Sequence, residues 1–196
     1  PYVLPNLRVQ NSDLKIELLS LNNTEQIKLL KKGDLDVTFT RQNLNSDEIE
    51  SLFVLREPLI FILPENHPLA KYERIPVKAL NGVDFIIPAA EQSLTLHNTI
   101  LEFAKSNGIE FNIVQKADNI LFNINSIGMG LGCTILPGYV APLTMKNTVI
   151  RALDVELPYL DLYVSYHKNS SSSAVHKFVE LLTHVFYLNI NRNSAI

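Results

Sequence analysis

The sequence predicts an α/β fold, and three observations carry that prediction. Short apolar runs, some alternating and some continuous, recur along the chain between longer runs of helical period, the pattern of strands interleaved with helices. Pro and Gly close these runs at Gly33, Pro64, Pro88, Gly108 and Pro137. The stretch Asn119 to Tyr139, NILFNINSIGMGLGCTILPGY, shows the sequence of elements most plainly. Ile120, Leu121, Ile124 and Ile127 share one helical face, Gly128 to Gly132 break the period, and the apolar run Cys133 to Leu136 ends at Pro137.

That order is helix, glycine loop, strand. A dinucleotide cradle needs the reverse, because the pyrophosphate must meet free amides at a helix start. These glycines therefore read as a tight, side-chain-poor turn that delivers a buried strand into a sheet.

The other elements follow in chain order. Pro1 to Gln10 reads as a helix with Val3, Leu4 and Leu7 on one side, and Leu14, Ile16 and Leu18 alternate with Lys15 and Glu17 as a strand. Asn23 or Thr24 caps a helix that Gly33 stops, and Leu35, Val37 and Phe39 alternate as the next strand up to Thr40 and Arg41. Leu52 to Leu55 and Leu59 to Leu63 are strands covered on both faces, broken at Arg56 to Pro58 and closed by Pro64. Phe85 to Ile87 is a short strand, Leu96, Ile100, Leu101, Phe103 and Ala104 form a helix face, and Phe111, Ile113 and Val114 give a strand. Val149 to Leu153 and Leu160 to His167 are strands; Asn169 to Ser173 links to a final amphipathic helix, and Asn189 to Ile196 reads as a loose tail.

Bulk properties exclude several functions. A chain of 196 residues that is 46% hydrophobic buries one substantial core or two small ones sharing a hinge. A net charge of -3 with no Lys or Arg run argues against this stretch gripping a phosphate backbone. Cys133 is the single cysteine, so no intrachain disulfide and no cysteine-based zinc cluster can form. His67, His97, His167, His176 and His184 include no His-x-x-x-His pair, so neither a metal nor a cofactor is expected. Cys133 opens a buried strand, Ser93 and Ser170 to Ser173 lack a nucleophile-elbow pattern, and no catalytic residue is assigned. No apolar run approaches the roughly 20 residues of a membrane span, and no membrane partner is expected.

Several stretches together carry a resemblance. SIGMGLGCTILPGY after a helix, Lys32-Gly33-Asp34-Leu35-Asp36-Val37, Glu57-Pro58-Leu59 and His67-Pro68-Leu69-Ala70 occur in the order found in LysR-type transcriptional regulators. The chain resembles the co-inducer-binding domain of that family, with wording nearest to regulators of aromatic-acid breakdown. The resemblance implies two Rossmann-like lobes joined by crossing strands, of the type 2 periplasmic-binding-protein kind. It places one lobe at residues 1–57 plus 163–196 and the other at 58–162. It further implies a cytoplasmic homodimer or homotetramer, and a DNA-binding domain N-terminal to this chain through which alone DNA is contacted. The implied partner is a small-molecule effector, an aromatic carboxylate, held in the interlobe cleft.

The residues themselves point to where such an acid would sit. The loops Leu21 to Gln26 and Glu91 to Leu96 each lead from a strand into a helix, whose free amides attract a carboxylate. Asn23, Thr24, Ser93 and Thr95 add uncharged donors there, although the same residue types also serve as plain helix caps. Arg41 matches an arginine that several family members carry, and either faces the cleft or is a surface residue. Asn119 is a cap or a ligand donor. Leu94, Leu96, Ile120 or Phe122 would meet the apolar part of the ligand, with His97 near the cleft. The rival from another class is a periplasmic solute-binding protein, which shares the two-lobe plan. The family also begins this domain with a strand that nothing before Tyr2 can supply, so residues are expected ahead of Pro1.

Overall fold

The structure, a computed structural model, describes residues 3–10 and 14–193, and the side chains of residues 3–9 and 14–184. The elements run α1 (Val3–Gln10), α2 (Asn23–Lys32), β1 (Val37–Thr40), β2 (Ile49–Pro64), β3 (Arg74–Ile75), β4 (Asp84–Pro88) and α3 (Leu94–Ser106). They continue β5 (Asn112–Ala117), α4 (Ile120–Gly128), β6 (Thr134–Pro137), β7 (Thr148–Leu153), β8 (Tyr159–His167) and α5 (Ser173–Asn193). The chain divides into two compact units, Pro1–Leu55 with Asp161–Ile196, and Arg56–Leu160.

In the second unit β4 and β5 run parallel, and a parallel bridge from Phe85 to Cys133 places the strand that becomes β6 on the other side of β4. β6 and β7 each pair antiparallel with β2, and β3 runs parallel to β7. Phe85, Ile86, Ile87, Phe61 and Ile135 fill a core that α3 closes with Ile100 and α4 with Ile127. A strand covered on both faces needs apolar side chains at every position, which is why DFIIP and TILP carry no alternation.

The glycine loop has two distinct physical causes. Gly130 lies at φ +80, in the left-handed region that only glycine enters cheaply. Gly132 lies so close to β4 that a Cβ there would sit 2.7 Å from the Asp84 carbonyl oxygen. The close approach lets Cys133 N–H bond Asp84 O at 2.8 Å and Ile86 N–H bond Cys133 O at 2.8 Å.

In the first unit β1 pairs antiparallel with β8, in the register Val37↔Tyr166 to Thr40↔Tyr163, and β8 neighbours β2. Val3, Val54, Val164 and Leu182 form its small core, with Phe178 of α5 meeting Phe39 edge-on at 6.2 Å. The Ser165 hydroxyl donates to Ser51 Oγ at 2.8 Å, so the buried pair satisfies itself.

The structure differs from the sequence reading at five places. Leu14, Ile16 and Leu18 lie in a stretch with no ladder, because alternation alone supplies no partner for the backbone amides. Leu52–Leu55 and Leu59–Leu63 belong to one strand, β2, since Pro58 falls just outside the β6 ladder that begins at Leu59. In β1 the buried side chains are Thr38 and Thr40, on the opposite face from Val37 and Phe39. The cap of α2 is Asn22, one residue before Asn23. Helix α5 continues to Asn193 because no Gly or Pro interrupts Asn189 to Asn193, leaving only 194–196 of the expected tail outside the described residues.

Candidate functional site

Three helix starts repeat one local arrangement. At α2, Asn22 Oδ1 accepts from Glu25 N–H at 3.0 Å while the Glu25 carboxylate accepts from Asn22 N–H at 3.4 Å, a reciprocal capping box. At α3, Ser93 Oγ accepts from Leu96 N–H at 3.4 Å. At α4, Asn119 Oδ1 accepts from Phe122 N–H at 2.8 Å. In each case the cap takes the amide of the third helical residue. The first two amides, those of Asn23 and Thr24, of Leu94 and Thr95, and of Ile120 and Leu121, have no acceptor within their helix.

Charge ranks the three. Glu25 lies in the first turn of α2, and Asn119 Nδ2 donates to the Asp118 carboxylate at 3.0 Å immediately before α4. Helices α3 and α4 both lack an acidic residue in the first turn, but only α4 has one, Asp118, adjoining its cap. The start of α3 is therefore the most favourable of the three for an incoming carboxylate, an attraction of up to about 2 kcal/mol when partly buried.

The sequence-predicted residues separate by unit. Ser93, Leu94, Thr95 and Asn119 lie together at the carboxyl edge of the parallel pair β4–β5, which Ala89 N–H ties to Ala117 O at 2.7 Å. Leu94 is 51% exposed and Thr95 half-buried. Leu96 does not belong with them: at 4% exposure it packs into the core of its unit, the side on which an N-terminal apolar residue of a helix must anchor. Ile120 packs partly against the same core, and Phe122 is exposed. In the first unit Asn23 and Thr24 open α2, and Arg41 follows the carboxyl end of β1.

His97 is committed elsewhere. Its Nδ1–H donates to Pro88 O at 2.8 Å and holds the start of α3 to the end of β4. Cys133 is fully buried, and burial together with the charge of Asp84 pushes its thiol up to about 12, which removes the thiolate that nucleophilic chemistry needs. Among the described residues no cluster of His, Cys, Asp and Glu could hold a metal ion. No helix among them is long and apolar enough to cross a membrane.

Two residues that the sequence reading did not single out stand out in the structure. The chain passes from β4 out to β5 and then back across to β6, so the order reverses beside β4, and open α/β sheets bind ligands outside the strand ends at such a point. Tyr139, half exposed, follows β6, the strand on the other side of β4, and its N–H donates to Glu57 Oε1 at 3.0 Å. The signal was available only as topology. Asn123 on α4 is 1% exposed, and neither its amide nitrogen nor its amide oxygen has a hydrogen-bond partner among the described residues.

Comparison with known proteins bears directly on these features. The chain is 35% identical to the Hca operon transcriptional activator HcaR of Escherichia coli over 93% of its own length and 62% of that protein. It is 24% identical to the transcriptional regulator AlsR of Bacillus subtilis over 92% of its length and 60% of that protein. The chain thus spans about three-fifths of these relatives. They are transcriptional regulators and not enzymes, which sets aside the solute-binding-protein reading. Among solved structures, the BenM effector binding domain with its effector benzoate superposes with a TM-score of 0.80, at 16% identity, over 95% of this chain and 85% of that one. The effector binding domain of QuiR in complex with shikimate gives 0.81 at 19% identity over 95% and 89%. These likenesses establish the fold. The LysR substrate-binding domain family matches residues 1–186, and the chain belongs to that family.

Proposed function

We propose that this chain is the effector-sensing part of a cytoplasmic transcriptional regulator and that its ligand is a small aromatic carboxylate such as phenylpropionate or cinnamate. The carrying observation is the start of α3, where the Leu94 and Thr95 amides have no helical acceptor and no acidic residue shares the turn. Ser93, Leu94, Thr95 and Asn119 from the second unit and Asn23, Thr24 and Arg41 from the first are the proposed effector contacts. Benzoate and shikimate, bound by BenM and QuiR, are both ring acids, which supports the chemical class.

The remaining parts of the reading rest on family membership. Copies of the regulator associate as a homodimer or homotetramer, and DNA is held by a domain outside this chain. Effector binding then shifts how the copies pack, to the extent that the effector prefers one state; a coupling of about 1–3 kcal/mol is typical of such systems.

Calorimetric titration with phenylpropionate, cinnamate, benzoate and shikimate tests the reading. Leu94→Pro is the decisive variant. Proline is tolerated at the first helical position and removes one N–H without touching the Ser93 cap. Losing one charge-assisted hydrogen bond of about 1.5–3 kcal/mol should weaken the best acid roughly tenfold or more. Equal affinity for wild type and Leu94→Pro would place the carboxylate elsewhere.

A further inference from the structure

Among the described residues, Asn123 supplies the only buried side-chain atoms without a hydrogen-bond partner, its Nδ2 and its Oδ1 together. An orphaned buried amide lowers stability, so its presence in a well-packed helix calls for a partner that completes it.

The position of the residue says where that partner arrives. Asn123 stands one turn after the cap Asn119, on the buried face of α4 that it shares with Ile124, Ser126 and Ile127. Helical side chains lean toward the N-terminus of their own helix, so this amide is aimed over the first turn of α4, at the carboxyl edge of β4–β5 where α3 also begins. The strand ends there carry Ala89 and Ala117, whose side chains take little room.

The polar groups along this part of α4 are already engaged. Ser126 Oγ donates to Phe122 O at 2.9 Å and accepts from Gln115 Nε2 at 3.1 Å. Asn119 Oδ1 accepts from Phe122 N–H, and Asn119 Nδ2 donates to Asp118. A buried water needs roughly two to four polar partners and would find little here besides the amide itself. A hydroxyl on a ligand already anchored by its carboxylate differs in that its ordering is part of placing the ligand. Its oxygen accepts from Nδ2 while its proton goes to Oδ1, so one group satisfies both atoms.

We propose that Asn123 is a specificity residue of the effector site, that its amide receives a hydroxyl on the ring of the acid, and that the effector class is a hydroxylated aromatic carboxylate. This rests on the effector reading above, with the carboxylate at the start of α3, and adds a second polar contact on α4. A site that leaves a buried amide unpaired discriminates against the analogue that cannot pair it.

Calorimetric titration with phenylpropionate and the ortho, meta and para isomers of hydroxyphenylpropionate tests the proposal. Wild type should take one isomer about 10- to 100-fold more tightly than phenylpropionate. Asn123→Leu and Asn123→Ala should lose that preference and keep their affinity for phenylpropionate. In a nitrogen–proton NMR correlation spectrum of wild type, the Asn123 side-chain amide signal, assigned by its absence from Asn123→Leu, should move with the preferred isomer and stay in place with phenylpropionate. Equal wild-type affinities for all the acids, a preference that survives both substitutions, a uniform loss across the acids, or an unmoved amide signal would overturn the proposal. Failure of every acid to bind would overturn the effector reading beneath it as well, whereas phenylpropionate binding without a hydroxyl preference would leave that reading standing and remove only the role of Asn123.

Discussion

Placing alanine at Gly132 should force two backbones apart at the centre of the second unit. The new Cβ would lie 2.7 Å from Asp84 O, 3.0 Å from Asp84 C and 3.3 Å from Phe85 N. All three atoms are main chain of β4, so no flexible side chain can yield. The strands must separate by about half an ångström before that contact relaxes. The hydrogen bonds that cross there would stretch together: Cys133 N–H to Asp84 O at 2.8 Å, Ile86 N–H to Cys133 O at 2.8 Å, and the Thr134 hydroxyl to Ile86 O at 2.7 Å. At about 0.5–1.5 kcal/mol each, with some loss of packing, the cost is about 2–4 kcal/mol. Gly130→Ala is the internal control. It has open space around it and strain only from φ +80, which costs about 1–2 kcal/mol. Urea unfolding of both variants gives the ranking, read from the midpoint at unchanged slope. If Gly132→Ala is no more destabilising than Gly130→Ala, the close approach of these strands is not what requires the glycine.

Three further outcomes follow. Asn123→Leu should leave the fold intact and raise its stability by about 1 kcal/mol in urea unfolding, because it removes two buried polar atoms that lack partners; a loss of that size would mean the amide is satisfied. Asn22→Ala should cost about 1 kcal/mol by opening the capping box of α2, measured the same way, and a change below 0.3 kcal/mol would show that the cap contributes little. His67 has its pKa lowered from 6.5, chiefly by burial, against a smaller opposing effect of Asp84. With the folded pKa depressed, the stability it contributes is present above 6.5 and is lost as pH falls through the folded value, where protonation also removes the Nδ1 acceptor for Leu69 N–H. His67→Asn should therefore flatten the decline of stability between pH 7.5 and pH 5, and an unchanged slope would assign that decline to other groups.

What could be read from the sequence was whatever local chemistry decides alone. The continuous apolar runs at Phe85–Ile87 and Cys133–Leu136 became doubly covered strands, and Gly33, at φ 79, ended α2 as expected. The alternation of Leu14, Ile16 and Leu18 was equally clear but needs a neighbour to become a ladder, and neighbours are a property of topology. The burial of Leu96 in the core of its unit was not legible for a related reason: a leucine two places into a helix looks the same in sequence whether it faces a cleft or the sheet. Tyr139 escaped notice because only the reversal of strand order around β4 gives its position meaning. Whether Asn22 or Asn23 caps α2 turns on one residue of backbone register, and both carry the same side chain.

The solitary thiol of Cys133 offers a practical dividend. Fully enclosed and held protonated by its surroundings, it should be silent toward thiol reagents while the second unit is closed and become reactive only when the strand beside β4 comes free. Labelling kinetics in dilute reagent would then clock the opening of that unit alone, with no engineered probe, while the first unit, which contains no sulfhydryl, stays invisible to the measurement.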